Sequence, residues 1–226
     1  MNLLSLPKRA FRLILRKIRG DSLGYLKQCR RLVHIGANNG QEREHYHKLK
    51  LEVLWIEALP DAHARLLKNL EGYPKQSAAQ ALLTDVDDQV YEFNVASNEG
   101  ASSSIFDFKE HAKIWPDISF VNKVSLKSRR LATLFQERSI PLNHFDAAIL
   151  DVQGAELLVL KGAGDYLSGF KYVQCEASDF EAYAGACNVS DLITYMAQHS
   201  FKLERKVPFA SREGVGVYYD LVFRRI

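Results

Sequence analysis

Four short apolar runs in this chain each stop at a polar residue and hand over to a segment with helical patterning. Leu32–Ile35 leads into Gly36-Ala37-Asn38, Val53–Ile56 into Glu57, Phe145–Leu150 into Asp151, and Tyr172–Cys175 into Glu176. Short apolar runs of this kind suit strands buried on both faces. Strands separated by helical segments make an α/β chain with a parallel sheet. In such a sheet, ligands bind in the crevice outside the carboxyl ends of the strands. A lone strand-end acid is an ordinary helix cap or solvated turn. Four polar strand ends in βα alternation instead converge on one cleft.

The first turn, Gly36-Ala37-Asn38-Asn39-Gly40, carries two glycines, and glycine and asparagine tolerate positive φ better than other residues. A turn of this composition lets backbone approach a ligand, and the segment that follows, 41–50, reads as a helix. Glu57 lies 17 residues past Gly40. That is close to the spacing of about 20 residues at which a dinucleotide fold sets an acid on ribose hydroxyls. Gly36-x-x-x-Gly40 lacks the middle glycine of G-x-G-x-x-G, the one that admits a pyrophosphate. Glu42 would repel a pyrophosphate as well. The turn therefore suits S-adenosylmethionine, with its ribose and positive sulfonium, better than a nicotinamide dinucleotide, and a dehydrogenase is disfavoured.

Between these strands the pattern predicts helices at 61–70, 129–138, after Asp151 to Gly162, and at 190–199. A strand around 77–83 and an alternating strand at 90–95 read as a hairpin inserted at the sheet edge or beside the site. Residues 97–104 form a hydroxyl-rich polar loop, 105–125 read as irregular, and Phe201–Glu204 with Val217–Phe223 form a final strand pair.

Charge is unevenly placed. Residues 1–31 hold nine Lys/Arg and one acid, whereas the remainder holds 21 Lys/Arg against 26 Asp/Glu. The mildly acidic remainder gives no reason to expect a nucleic-acid partner. Residues 5–19 read as a basic amphipathic helix with Phe11, Ile14, Leu15 and Ile18 on one face. Such a helix either packs on the domain or lies on an anionic membrane surface. The chain divides into a helical arm, 1–30, and one α/β domain, 31–226. No apolar run is long enough to span a bilayer. Three cysteines with no C-x-x-C spacing suit a reducing, cytoplasmic setting, at the inner face of a membrane if the arm docks there. No histidine or cysteine spacing suggests a metal.

The segments Val33–Gln41, Ile56–Pro60, Ala101–Ile105 and, most specifically, Leu150-Asp151-Val152-Gln153-Gly154-Ala155-Glu156 with Leu160–Ala163 resemble the FkbM-type methyltransferases. These belong to the Rossmann-like class I enzymes that use S-adenosylmethionine. The resemblance covers about residues 31–225. It implies a seven-stranded, mostly parallel sheet with helices on both faces and one antiparallel strand near an edge. It also implies methyl transfer to a hydroxyl of a sugar, glycan or secondary metabolite. It places the cofactor among His34, Gly36, Ala37, Asn38, Gly40, Gln41, Glu57, Ala58, Asp85, Asp151 and Val152. For catalysis the candidates are Asp151 first, then Glu156 and Glu176. Ser102, Ser103, Ser104 and Gln153 are candidates for the acceptor pocket. His34 departs from the family, where an acid at this position can meet the cofactor's amino group. That departure leaves a non-catalytic, cofactor-binding or membrane-docking relative as the alternative function.

Overall fold

The computed structural model describes residues 22–226, so the basic helix expected at 5–19 lies outside the described residues. The strands are β1 (Arg31–Ile35), β2 (Glu52–Glu57), β3 (Gln76–Gln80), β4 (Leu82–Leu83), β5 (Val90–Ala96), β6 (Phe120–Arg129), β7 (Ala147–Leu150), β8 (Tyr172–Ser178), β9 (Phe201–Arg212) and β10 (Gly216–Arg225). The helices are α1 (Arg43–Lys48), α2 (Pro60–Asn69), α3 (His111–Ile114), α4 (Leu131–Glu137), α5 (Glu156–Gly162) and α6 (Val189–Gln198).

Seven strands form one sheet in the order β3-β2-β1-β7-β8-β10-β9, parallel except for β10, which runs against both neighbours. Side chains alternate between two faces along each strand. Val33, Ile35, Leu54 and Ile56 pack with Leu134, Phe135, Leu160, Leu192 and Met196 from α4, α5 and α6. Leu32, Val53 and Trp55 pack on the other face with Tyr46 of α1 and Leu66 of α2. Both faces are thereby covered, which is why these strands read as continuous apolar runs. The strand order reverses between β1 and β7, and the carboxyl ends on either side of that switch point frame a crevice.

Three expectations need correction. The strands around 77–83 and 90–95 do not pair as a hairpin. β5 pairs antiparallel with β6, and β4 runs parallel to β6, in a separate three-stranded sheet. β6 came from the segment read as irregular, because Asn122, Lys123, Ser125 and Lys127 are exposed and Val121 faces solvent, which blurs its apolar alternation. Within the arm read as helical over 1–30, the stretch just before β1 is a short 3-10 turn, Gly24–Gln28. Among the described residues no helix is long and apolar enough to cross a membrane.

Candidate functional site

The turn after β1 is shaped by its neighbour across the switch point. Gly36 has φ +84°, and a Cβ there would lie 1.8 Å from the backbone oxygen of Asp151. The Asp151 amide in turn donates to the Ile35 carbonyl at 2.9 Å. Gly40, at φ +70°, leaves room for Leu66 of α2, whose Cδ1 would stand 2.7 Å from a Cβ. The two glycines thus admit protein rather than opening the backbone to a ligand, as the sequence suggested. Gly36 bolts the first turn to the turn that carries Asp151.

The polar side chains that organise the first turn are Asn38 and Glu57. Asn38 adopts φ +44°, donates its backbone N–H to Glu57 Oε2 at 2.7 Å, and donates Nδ2 to the Glu99 carbonyl at 3.3 Å. Its Oδ1 is buried with no hydrogen-bond partner among the described residues. Glu57 Oε1 accepts from the Leu59 amide at 2.8 Å. Burial pushes the Glu57 carboxyl up, while the Leu59, Asn38 and Ala58 amides and the Arg65 charge pull it back. The 97–104 loop closes over this turn, because Arg65 also donates to the Glu99 carbonyl, at 3.1 Å. Ala37 is buried and donates to Ile56, Ala58 sits half-buried beside Glu57, Val152 lies against Gly36, and Gln41 is exposed before the helix begins.

Two expected cofactor contacts lie elsewhere. His34 is 5% exposed, its ring stacked on Trp55 at 4.7 Å and its Nδ1 3.0 Å from Tyr46 Oη. It belongs to the aromatic packing beneath the turn, and that packing accounts for an imidazole where an acid was expected. Asp85 lies at the far end of α5, where a Cβ on Gly162 would meet Thr84 and the Asp85 backbone. The chain has by then left the main sheet through β4, which carries Asp85 away from the crevice.

In the second turn, Gln153 connects the acids. Its Nε2 donates to Asp151 Oδ1 at 2.7 Å and reaches Glu176 Oε1 at 3.5 Å. Its Oε1 accepts from Tyr183 Oη at 2.5 Å, which fixes which way the amide faces. Gln153 holds φ +52°, a conformation uncommon outside glycine. Glu156, by contrast, folds back on its own turn and accepts from the amides of Val152 at 3.1 Å and Gly154 at 3.0 Å. Burial, reinforced by the Asp151 charge, outweighs those bonds and raises its carboxyl to about 7. Glu156 therefore shapes the turn, and only Asp151 and Glu176 of the three expected catalytic acids join the Gln153 cluster.

The three serines are taken up by bonds within the protein. All are buried, with Ser103 Oγ accepting from the Ala96 amide at 2.9 Å and Ser102 Oγ from Asn98 Nδ2 at 3.0 Å. Ser104 Oγ donates to the Gln153 carbonyl at 2.8 Å and accepts from the Phe106 amide. A hydroxyl-rich loop over a site had suggested acceptor binding. Its hydroxyls instead replace backbone pairing within the loop, and Ser104 props up Gln153.

Next to the Gln153 cluster is a small, open recess whose walls include Glu176, Tyr183, Cys187 and Tyr218. Tyr218 Oη lies 2.7 Å from Nδ1 of His111, itself 3% exposed and stacked on Phe108. Sequence reading did not single out Tyr183, Tyr218 or His111. They come from three separate segments, and no local spacing joins them.

The family model described as the methyltransferase FkbM domain matches residues 34–203. The 2-O-methyltransferase NoeI of Sinorhizobium fredii (strain NBRC 101917 / NGR234) is 25% identical over 185 residues, covering 78% of this chain and 74% of that protein. Among solved structures, magnesium protoporphyrin IX methyltransferase from Synechocystis PCC 6803 with bound S-adenosylmethionine superposes at TM-score 0.53 and 8% identity, over 94% of this chain and 79% of that one. TrmK of M. capricolum in complex with S-adenosylhomocysteine superposes at TM-score 0.52 and 10% identity, over 98% and 69%. These two likenesses bear on fold. The domain match, extending from the end of β1 through both strand-end turns into β9, bears on family: the chain belongs to the FkbM family of S-adenosylmethionine-dependent methyltransferases.

Proposed function

We propose that this chain methylates a hydroxyl oxygen of a sugar, a glycan or a hydroxylated secondary metabolite, with Asp151 receiving the proton. The observation that carries the reading is the contact of Gly36 with the Asp151 backbone. It brings the Asn38–Glu57 pair and the Asp151–Gln153–Glu176 cluster to one crevice. The residues present fit the cofactor. A carboxylate accepts both hydrogens of a ribose diol, and the orphaned Asn38 Oδ1 fits a donor that the described residues do not supply. Bound there, S-adenosylmethionine supplies an electrophilic methyl group on a sulfonium.

The remaining work falls to the chain. Gln153 holds Asp151 in a fixed direction, because Tyr183 and Ser104 hold Gln153. Positioning of the acceptor supports about 7–11 kcal/mol of barrier reduction. A base for the hydroxyl proton supports roughly 10²–10⁴-fold. NoeI is named as a 2-O-methyltransferase, which favours oxygen as the atom methylated here. For the arm, docking of residues 5–19 on an anionic membrane, at its cytoplasmic face, rests on the basic amphipathic pattern.

The test titrates the protein with S-adenosylmethionine, S-adenosylhomocysteine and NAD, then follows labelled methyl into hydroxyl-bearing glycans and glycosides. The expected outcome is binding of both sulfur compounds, no binding of NAD, and alkali-stable label on oxygen. Label on nitrogen, or no binding of either sulfur compound, would contradict the reading.

A further inference from the structure

Among the described residues, the recess beside Gln153 is rich in acceptors and nearly exhausted of donors. Gln153 Nε2 is committed to Asp151 and Glu176, and the Gly154 amide to Glu156. Tyr183 Oη donates to Gln153, Ser178 Oγ to the Phe180 carbonyl at 2.6 Å, and Cys187 Sγ to the Gly154 carbonyl at 3.7 Å. Of the side-chain donors lining the recess, that leaves the Tyr218 hydroxyl, whose recorded partner is His111 Nδ1. On the sheet, Tyr218 pairs with Ser178 and shares its face with Glu176, two residues away on β8. Diagonal neighbours on one face lie within reach of long side chains.

His111 decides what the Tyr218 hydrogen does. Burial lowers the His111 imidazole to about 4, so it is neutral near pH 7 and carries one N–H. Its Nε2 is buried without a partner. A proton on Nε2 would be a buried orphan donor, which costs its full desolvation. A proton on Nδ1 is donated to the Tyr218 oxygen. Tyr218 then has its own hydrogen available to the recess. Burial and the Glu176 and Glu156 carboxylates push the phenol up, so it remains a donor.

We propose that Tyr218, oriented by His111, donates a hydrogen bond to the acceptor at an oxygen neighbouring the hydroxyl that is methylated, so that substrates with adjacent oxygens are selected. The proposal rests on the hydroxyl-methylation reading of this crevice. The methylated hydroxyl donates toward Asp151, and its neighbour accepts from Tyr218. Tyr218 is then a substrate-binding residue and His111 a positioning residue that works through it. A site that supplies a donor discriminates against an analogue lacking the matching oxygen, because the donor is left unpaired.

Two measurements test this on the full chain. Long-range ¹⁵N–¹H NMR on histidine-labelled protein with S-adenosylhomocysteine should find His111 as the neutral Nδ1–H tautomer, with its signal displaced in Tyr218→Phe. Labelled-methyl transfer should then be compared between methyl glycosides and matched monodeoxy glycosides lacking one neighbouring hydroxyl. Wild type should prefer the intact glycosides by about tenfold or more in kcat/KM. Tyr218→Phe should lose that preference mainly through KM, and His111→Asn, which restores an N–H, should keep more of it than His111→Phe. S-adenosylhomocysteine affinity should not change in any variant. An Nε2–H tautomer would overturn the inference. So would an unchanged preference in Tyr218→Phe, or wild type that binds S-adenosylhomocysteine yet methylates none of the glycosides. Failure of wild type to bind S-adenosylhomocysteine would instead defeat the function reading, with the tautomer left to decide the pair.

Discussion

The turns after β1 and β7 sit side by side and share a backbone contact, yet they are finished differently. In the first, Glu57 closes the Asn38 and Leu59 amides, and Asn38 Oδ1 is left buried without a partner. In the second, the Gln153 side chain is held at both polar ends, Nε2 by two acids and Oε1 by Tyr183, and its carbonyl is held by Ser104. An incomplete set of partners suits a place where a ligand completes it. A complete set suits a place where a side chain must keep one direction while chemistry happens beside it. Under the proposed function, the first turn is the receptor for the cofactor and the second a rigid mount for Asp151.

The contrast can be broken most severely at its hinge. Gly36→Ala should cost about 3–5 kcal/mol, since a Cβ would overlap the Asp151 carbonyl and alanine is strained at φ +84°. Chemical denaturation checks this, and a cost below about 1 kcal/mol would mean the two turns are not locked together.

Glu156 sharpens the comparison through pH. Its carboxyl titrates near 7 in the folded protein against an ordinary 4.5. Between those values the folded state holds a proton that the unfolded chain has released. Stability contributed by this group is therefore greatest below about pH 4.5, falls as pH rises to about 7, and is level above. The total change is up to roughly 3 kcal/mol. Glu156→Gln should flatten that slope in denaturation measured from pH 5 to 8, while keeping an acceptor for the Val152 and Gly154 amides. The same slope in the variant would assign it to another group.

Ser104→Ala is the gentler change. It leaves the Gln153 carbonyl and the Phe106 amide without their partner, which should cost about 1–3 kcal/mol. Turnover should fall with S-adenosylhomocysteine affinity unchanged, because the serine supports the mount and not the receptor. Loss of cofactor affinity instead would show that the serine serves the wrong turn.

How much of this was legible in the sequence follows from how local each feature is. Strands buried on both faces write themselves as short apolar runs, so β1, β2, β7 and β8 and their polar ends were readable. The acids Glu57, Asp151 and Glu176 came with them. Features that depend on what lies across the fold were not. Gly36 announces a turn but not that Asp151 fills its open side. Ser102–Ser104 look solvated until the loop closes on Asn38 and Arg65. His34 looks like a cofactor contact until Trp55 and Tyr46 enclose it. The pairing of β5 with β6 was hidden because β6 is largely exposed. Tyr183, Tyr218 and His111 meet only because the segment around His111 folds over the ends of β8 and β10.

The most direct test of the division between receptor and mount is calorimetric titration of S-adenosylhomocysteine into wild type, Glu57→Gln and Asp151→Asn, with labelled-methyl turnover measured on the same samples. Loss of one or two charge-assisted hydrogen bonds should weaken Glu57→Gln by about 10–100-fold. Asp151→Asn should bind within about threefold of wild type while turnover falls roughly 10²–10⁴-fold. Equal binding in Glu57→Gln, or full turnover in Asp151→Asn, would contradict the account.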